Sequence, residues 1–360
     1  MKYQKGQLKD RNISNKIVAM ENKNSLLQID LEGGSYFDFH LKSLPINPIN
    51  FRANNPLEPP FKGHFVCFDR WGPPSNGERK HEFDPHGEIN SQTWDLLDYT
   101  KKENFITESL MRSVLPMAGL QLTRKIQLSD VDPIFLVTEK IKNLNKNGRI
   151  FNIVQHVTLA PPFLNTSTIF DNNTEKGFEN KEDGSLNQEE PILNWPSADY
   201  NNEKVTLRHF RNKWPRVSSF VYNQNDKYGW TTACNPKEKL MLGYIWKINQ
   251  YPWINYWRSM NNGTPVAFGM EFGTTGLHEP FPILAKKGKI FDRNIYDFID
   301  ADEVKEKSFV GFLSKIPEDY KGVENVQIKE SVLIIKEKGV ASRDITYRID
   351  DLLFKQIEKR

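Results

Sequence analysis

The residues of this chain best suited to chemistry concentrate in the stretch Gly63 to Trp94, GHFVCFDRWGPPSNGERKHEFDPHGEINSQTW. It holds His64, Cys67, His81 and His86 together with Asp69, Arg70, Glu78, Glu82, Asp84 and Glu88, broken by Gly and Pro. A run so dense in ionisable and aromatic groups suits neither a core strand nor an amphipathic helix. It is expected at the rim of a polar pocket, because loops carry binding groups while a rigid scaffold positions them. Arg70 sets a charged fork between Phe68 and Trp71, able to grip a hydroxyl pair or a carboxylate with two hydrogen bonds. His86 follows Asp84-Pro85 and precedes Gly87, which places it on a turn. His81, Asp84, His86 and Glu88 are metal-ligand types in close order, but their spacing matches no established zinc pattern and both cysteines lie outside it, so no metal is expected.

Two residues far downstream have the chemistry of a proton-transfer pair. In NIVQHVTLAPPF, if Ile153 and Val157 face one side of a strand, then Val154, His156 and Thr158 face the other. An imidazole there can give or take a proton near neutrality, since its reference pKa is about 6.5; the competing reading is a core histidine satisfied by a backbone carbonyl. Glu271 lies in VAFGMEFGTTG, an otherwise uncharged strand ending in a Gly/Thr turn. A carboxylate with apolar neighbours is costly to bury without a partner, and burial tunes it toward general-base work. Glu279, in HEPF just past the turn, is the rival base, and a solvated strand end is the plain alternative for either.

The elements that must position these groups read as strands. Leu27, Ile29 and Leu31 alternate with polar residues, Gly33-Gly34 turns the chain, and Phe37, Phe39 and Leu41 alternate again, which is a hairpin signature. Further strand-length runs occur at 92–99, 104–112, 119–128, 133–142, 149–159, 205–210, 218–223, 228–235, 239–248, 266–273, 307–314 and 326–337. Short Asn/Asp/Gly/Pro turns join many of them, as antiparallel meanders require; a parallel sheet needs helix-sized crossovers. Residues 1–24 read as a polar tail or edge strand, 25–338 as one all-β domain of two large antiparallel sheets packed as a β-sandwich, 165–203 as a long loop or flap, and 339–360 as a tail with a short helix at DLLFKQIEKR.

Composition removes several function classes. The 360 residues carry 49 Lys plus Arg against 46 Asp plus Glu, a net charge of +3 with both signs interspersed, so there is no electrostatic footprint for nucleic acid. No apolar run approaches the ~20 residues of a membrane-spanning helix, and the N-terminus has no apolar signal core, so the chain reads as cytoplasmic, or periplasmic if a leader precedes it. Cys67 and Cys234, the only cysteines, read as two buried thiols rather than a secreted scaffold. No phosphate-binding Gly loop and no Gly-x-Ser-x-Gly elbow occurs. Eight tryptophans offer flat apolar faces with a polar handle, useful either to a β-sheet core or to an amphipathic ligand such as a sugar.

In their order along the chain, the Gly-Gly hairpin, FDRWGPP, PHG followed by a Trp, QHVTLAPPF and GMEFGTT resemble the galactose mutarotase (aldose 1-epimerase) superfamily, over residues 25 to 338. The segment VCFDRWGP…DPHGEINSQTW is closer to its hexose-6-phosphate epimerase branch. The resemblance implies a large β-sandwich with an open sugar cleft and no cofactor. It implies that His156 protonates the ring oxygen, that Glu271 takes the proton of the anomeric hydroxyl, and that Arg70 and His86 bind substrate. Asp226, in NQNDKYGW, stands for the family's sugar-binding aspartate, and Trp253 with Trp257 for a stacking face. An arginine follows His-Gly in the phosphate branch, whereas here Glu88 and Asn90 do, which disfavours a 6-phosphosugar. The reading is therefore an aldose 1-epimerase-like enzyme on a small-molecule or oligosaccharide substrate, as monomer or dimer. Its alternatives are a carbohydrate-binding protein that keeps the cleft without turnover, or another isomerase or lyase on the same scaffold.

Overall fold

The strand Arg149–Leu159 is the axis of the molecule: every residue from Phe151 onward is buried, on both faces. Such a strand needs cover on two sides, and the sheets provide it. A computed structural model describes residues 13–14, 16–53, 61–101, 106–181, 192–200, 202–210, 216–340 and 343–349. Among these, antiparallel pairing builds a 14-stranded sheet and an 8-stranded sheet, with a separate three-stranded sheet near the C-terminus. In the larger sheet, Tyr36–Leu41, His64–Asp69, Arg149–Leu159, Thr264–Gly273, Trp253–Asn261 and Val217–Tyr222 lie side by side. The fold is thus the all-β sandwich expected from the alternation. No helix among the described residues is long and apolar enough to cross a membrane.

The main core fills the space between the two large sheets. Ile153, Val157, Met270 and Phe272 from one pack with Leu122, Val137, Leu242 and Tyr244 from the other. A second core lies on the outer face of the 8-stranded sheet, where Trp230, Met241, Ile245 and Phe312 meet Val326, Leu333 and Ile335 of the three-stranded sheet. Strand period two explains both: one set of alternate residues serves each face.

A chain of polar side chains crosses the main core. The Arg124 guanidinium donates to Glu139 Oε1 at 2.8 Å and to the Gly34 carbonyl at 2.5 Å, and its plane lies over Trp94 at 4.5 Å and Tyr36 at 5.0 Å. Gln155 Nε2 donates to Glu139 Oε2 at 2.7 Å, so Gln155 Oε1 accepts from His64 Nε2 at 3.1 Å, and His64 Nδ1 is left as acceptor for the Tyr244 hydroxyl at 3.3 Å. Burial, with the Arg124 charge nearby, holds the His64 imidazole well below its usual range. It folds as the neutral tautomer.

Burial of a neutral imidazole sets the sign of the pH effect. Above pH ~6.5 His64 is neutral folded and unfolded; below it the unfolded chain takes up a proton that the folded protein refuses, so stability falls as pH drops. The unfolding free energy from urea titration is expected to decline from pH 7.5 to pH 5, with a slope of up to about 1.4 kcal/mol per pH unit from this one group. His64→Gln is expected to flatten that decline; an unchanged slope in the variant contradicts the assignment.

Several boundaries differ from expectation. Residues 165–203 are not a flap where they are described: Ile169–Asn172 joins the 8-stranded sheet, and Thr174–Glu179, Leu193–Asn194 and Ser197–Tyr200 extend the larger one. Their polar composition reflects placement near sheet edges, where one side stays in water. Ile17–Glu21 pairs with Ser25–Asp30, so the 1–24 segment contributes an edge hairpin. The run 326–337 spans a hairpin, turned by Glu330 and Ser331 at φ 50° and 64°. Ile345–Arg348 is a third strand beside it, while the helix expected at DLLFKQIEKR lies outside the described residues.

Candidate active site

A single row of registered residues crosses the larger sheet on the face turned away from the main core. Phe65 pairs with His156, His156 with Glu271, Glu271 with Asn255, and Asn255 with Ser219. Cross-strand partners point the same way, so five neighbouring strands present one line of side chains. At its centre His156 Nε2 lies 3.0 Å from Glu271 Oε1. The two are close but not aligned as a hydrogen bond: Oε1 is buried and has no hydrogen-bond donor. The other carboxylate oxygen, Oε2, accepts from the Trp71 indole at 2.8 Å. His156 Nδ1 is 2.8 Å from Thr158 Oγ1, whose hydroxyl faces the His156 carbonyl at 3.5 Å, and its ring stacks on Phe65 with centroids 4.1 Å apart. Nδ1–H thus donates to Thr158, and Nε2 is the nitrogen presented to the site.

Phe65, Trp71, His156 and Glu271 form one wall of a cavity of about 290 Å³, whose other walls include Phe61, His86, Arg216, Trp257 and His278. That is near the lower end of small-molecule sites, ~300 to 1,000 Å³. Burial and the nearby His278 and His156 hold His86 well below the usual imidazole range; burial also lowers His278, although the Glu271 charge opposes it. Both are therefore neutral at pH 7; His86 has one ring nitrogen engaged by the Trp71 backbone and its Nδ1 buried without a partner. Burial, reinforced by the Glu271 charge, pushes the Cys67 thiol well above its usual range, which removes it as a nucleophile.

The loop that carries His278 is fixed from behind the row. Ser219 Oγ donates to Asn255 Oδ1, Asn255 Nδ2 to the Thr275 carbonyl, and Asn180 Nδ2 to Ser219 Oγ, while Asn180 Oδ1 accepts the His278 backbone N–H. The same loop covers Trp253: a Cβ on Gly276 would sit 2.1 Å from that indole, so only glycine fits.

Of the residues singled out in the sequence, His156, Glu271 and His86 line the cavity together, and so does Trp257. Arg70 is placed elsewhere. Asp69 ends its strand at φ 84°, which breaks the alternation, and the Arg70 fork is spent on Asp69 Oδ2 at 3.0 and 2.8 Å with Glu78 Oε1 2.9 Å away. The substrate-binding arginine expected there gives way to Arg216 as the cavity's cation. Asp226 lies on a turn, holding Asn173 at 3.1 Å, and is not part of the cavity wall. Trp253 is fully buried, its indole donating to the Asn294 carbonyl at 2.8 Å. Glu279 packs its backbone against Gly72 and does not line the cavity. Glu88 Oε1 accepts from the Met117 and Ala118 amides at 3.0 Å each; it ties two loops and does not line the cavity, so the phosphate argument built on it falls. Among the described residues no group of three or more His, Cys, Asp or Glu side chains stands close enough to hold a metal ion.

Sequence reasoning passed over Phe51, Ala53, Phe61, Phe65, Arg216, Val217 and His278 as cavity residues, and named Trp71 only as a neighbour of Arg70. Phe65 was available from the period-two count, two residues before Cys67; most of the others depend on loop paths.

No family model matches the chain, and no curated protein matches it. Solved structures do. A galactose mutarotase related enzyme from Lactobacillus acidophilus superposes with a TM-score of 0.60 at 12% identity, covering 84% of this chain and 98% of that one. A galactose mutarotase-like protein from Lactobacillus casei gives 0.59 at 11% identity, over 83% and 100%. A candidate aldose 1-epimerase from Escherichia coli K12 gives 0.58 at 11% identity, over 83% and 99%. The chain has the galactose mutarotase-like fold.

Proposed function

We propose that this protein is an aldose 1-epimerase-like enzyme that interconverts the anomers of a free sugar by acid/base ring opening. The observation that carries the reading is the registered His156–Glu271 pair, buried at the wall of one small cavity with Oε1 of the carboxylate free of donors. A hemiacetal carbon holds two oxygens one bond away on either side, and an acid and a base on adjacent strands can serve both at once.

The working form is the imidazolium of His156 beside the carboxylate of Glu271. Glu271 Oε1 takes the proton from the anomeric hydroxyl, a C=O bond forms at C1, and the C1–O5 bond breaks with its electrons passing to O5, which takes the proton from His156 Nε2. Rotation about C1–C2 turns the aldehyde, and reclosure in the reverse sense returns both protons, so the inventory is restored without a cofactor. Trp71 has a positioning part: by holding Oε2 it leaves Oε1 as the base.

The test is the decay of optical rotation of freshly dissolved α-aldoses. Acceleration over buffer by the wild-type protein is expected for at least one sugar of a hexose and pentose panel. Binding without acceleration would instead leave a carbohydrate-binding protein. A second outcome concerns Gly269, over which the Glu271 side chain folds: an added Cβ would lie 2.5 Å from Oε1. Gly269→Ala is expected to lower kcat by about 10²-fold through misplacement of the base with the unfolding temperature nearly unchanged. A variant with wild-type kcat contradicts the assigned base.

A further inference from the structure

We infer that Arg70 is a positioning residue of the active site: it does not line the cavity, but it fixes the bend that presents the Trp71 indole to Glu271. The inference rests on the base role just proposed for Glu271, and adds to it the group that holds the partner of that carboxylate in place.

The strand His64–Asp69 stops where Asp69 takes φ 84°, and Trp71 follows on the turned chain. Aspartate tolerates a left-handed backbone without favouring it, so contacts must hold the bend. Guanidinium groups grip both oxygens of the Asp69 carboxylate: Oδ1 accepts from Arg149, and Oδ2 from Arg70 Nε and Nη2 at 3.0 and 2.8 Å. Arg70 then reaches two further segments. Its Nη1 stands 2.9 Å from Glu78 Oε1 on the helical turn Asn76–Arg79, and its Cζ lies over the Phe83 ring at 4.8 Å and over the Phe281 ring at 5.2 Å. Phe83 lies just before His86 in the chain, and Phe281 opens the helix Phe281–Lys287 just after His278. One planar cation thus ties the bend to the segments that carry two cavity imidazoles.

Trp71 is pinned from its other side as well. A Cβ on Gly72 would lie 2.5 Å from the Glu279 carbonyl oxygen, so the backbone of the His278 loop packs directly on Gly72. Between these two fixed residues the indole donates to Glu271 Oε2 at 2.8 Å and meets His278 edge-on at 4.9 Å.

Charge balance alone does not call for this arginine. Asp69 already has Arg149, and Glu78 is 25% exposed and accepts the Ser75 amide at 2.7 Å. The Arg70 side chain is buried, and burying a guanidinium carries a desolvation cost. What it adds is geometry: a rigid fork with flat faces, which a lysine does not reproduce.

The experiment follows the indole N–H signals of protein carrying isotope-labelled tryptophan, with the Trp71 signal assigned by Trp71→Phe, together with polarimetric rates. In Arg70→Lys the Trp71 signal is expected to move away from its hydrogen-bonded position, while that of Trp246, bonded to the Tyr251 carbonyl in the main core, stays. kcat is expected to fall about 10²-fold through misplacement of the base, with KM nearly unchanged. Because Arg70 acts through the indole, adding Arg70→Lys to Trp71→Phe should lower kcat little further. A Trp71 signal that stays in Arg70→Lys, or losses that multiply in the double variant, would overturn the inference and leave the epimerase reading standing. Should Arg70→Lys not fold, Phe83→Leu takes a ring from the guanidinium and leaves its ion pairs: a displaced Trp71 signal there supports the inference, and an unmoved one overturns it. If no sugar is accelerated by the wild-type protein the epimerase reading fails, and the indole signal decides the inference by itself.

Discussion

Glu271→Gln is expected to slow anomer interconversion by about 10³-fold, within the range that a positioned general base supplies, while sugar binding changes by no more than a few fold. The reasoning is local. The amide is nearly the same shape, and its carbonyl can still accept the Trp71 indole N–H that reaches Oε2 at 2.8 Å in the wild type. Beside His156 the variant places an NH2 that cannot take a proton from O1. Oε1 accepts no aligned hydrogen bond, so the substitution removes only the charge contact with His156 Nε2 at 3.0 Å, and the unfolding temperature should move little. Stopped-flow polarimetry and differential scanning calorimetry of the same preparation measure both quantities. A rate within tenfold of wild type would remove Glu271 from the chemistry.

The second large effect concerns the scaffold. Arg124 and Glu139 are essentially inaccessible to solvent, at 1% and 0% side-chain exposure. Arg124→Met leaves the Glu139 carboxylate in the core without its cation and the Gly34 carbonyl without its donor. Breaking a buried pair in this way typically destabilises by about 3 to 5 kcal/mol. Glu139→Gln should destabilise as well, since its one amide oxygen can accept from Arg124 or from Gln155 Nε2 but not from both, and the Arg124 charge loses its counter-ion. The double variant Arg124→Met/Glu139→Gln is expected to be more stable than Arg124→Met alone, because the orphaned charge is gone. Urea unfolding of the three variants reads this directly, and strictly additive losses would show that the pair is not coupled.

Much of the fold was legible because strand period is a strong signal where both faces have partners. The runs 149–159 and 228–235 coincide with observed strands, and the placement of His156 opposite Ile153 and Val157 comes from counting in twos. The pair His156 and Glu271 could be picked out for the same reason: each is an ionisable group on a strand otherwise built for burial. The strand Trp253–Asn261 was missed, since YPWINYWRSMN has tryptophans four apart that read as a stacking face rather than as alternate positions of a strand. Both do point to the same side, and which of them meets the cavity is decided by the Gly276 loop, whose path no local pattern reveals.

The error at Arg70 has a physical source one residue earlier. Counting from Phe65 and Cys67 as cavity-facing, Asp69 would be next and Arg70 would turn inward. The left-handed backbone at Asp69, a conformation that aspartate tolerates better than most residues, redirects the side chains of Arg70 and Trp71. Arg70 is thereby enclosed by carboxylates, and Trp71 takes the place beside Glu271. His278 was passed over in favour of its neighbour Glu279 because a carboxylate is the more obvious base; the loop contacts through Asn180 and Asn255 that present the imidazole join residues far apart in sequence.

The central claim is that one sugar ring sits with its anomeric carbon between Glu271 and His156. The most direct measurement is a crystal structure of the Glu271→Gln protein soaked with the aldose that the wild type turns over fastest. O1 is expected within hydrogen-bond distance of the residue 271 amide and O5 within that distance of His156 Nε2. A sugar bound with its anomeric carbon away from both, or bound outside this cavity, would contradict it.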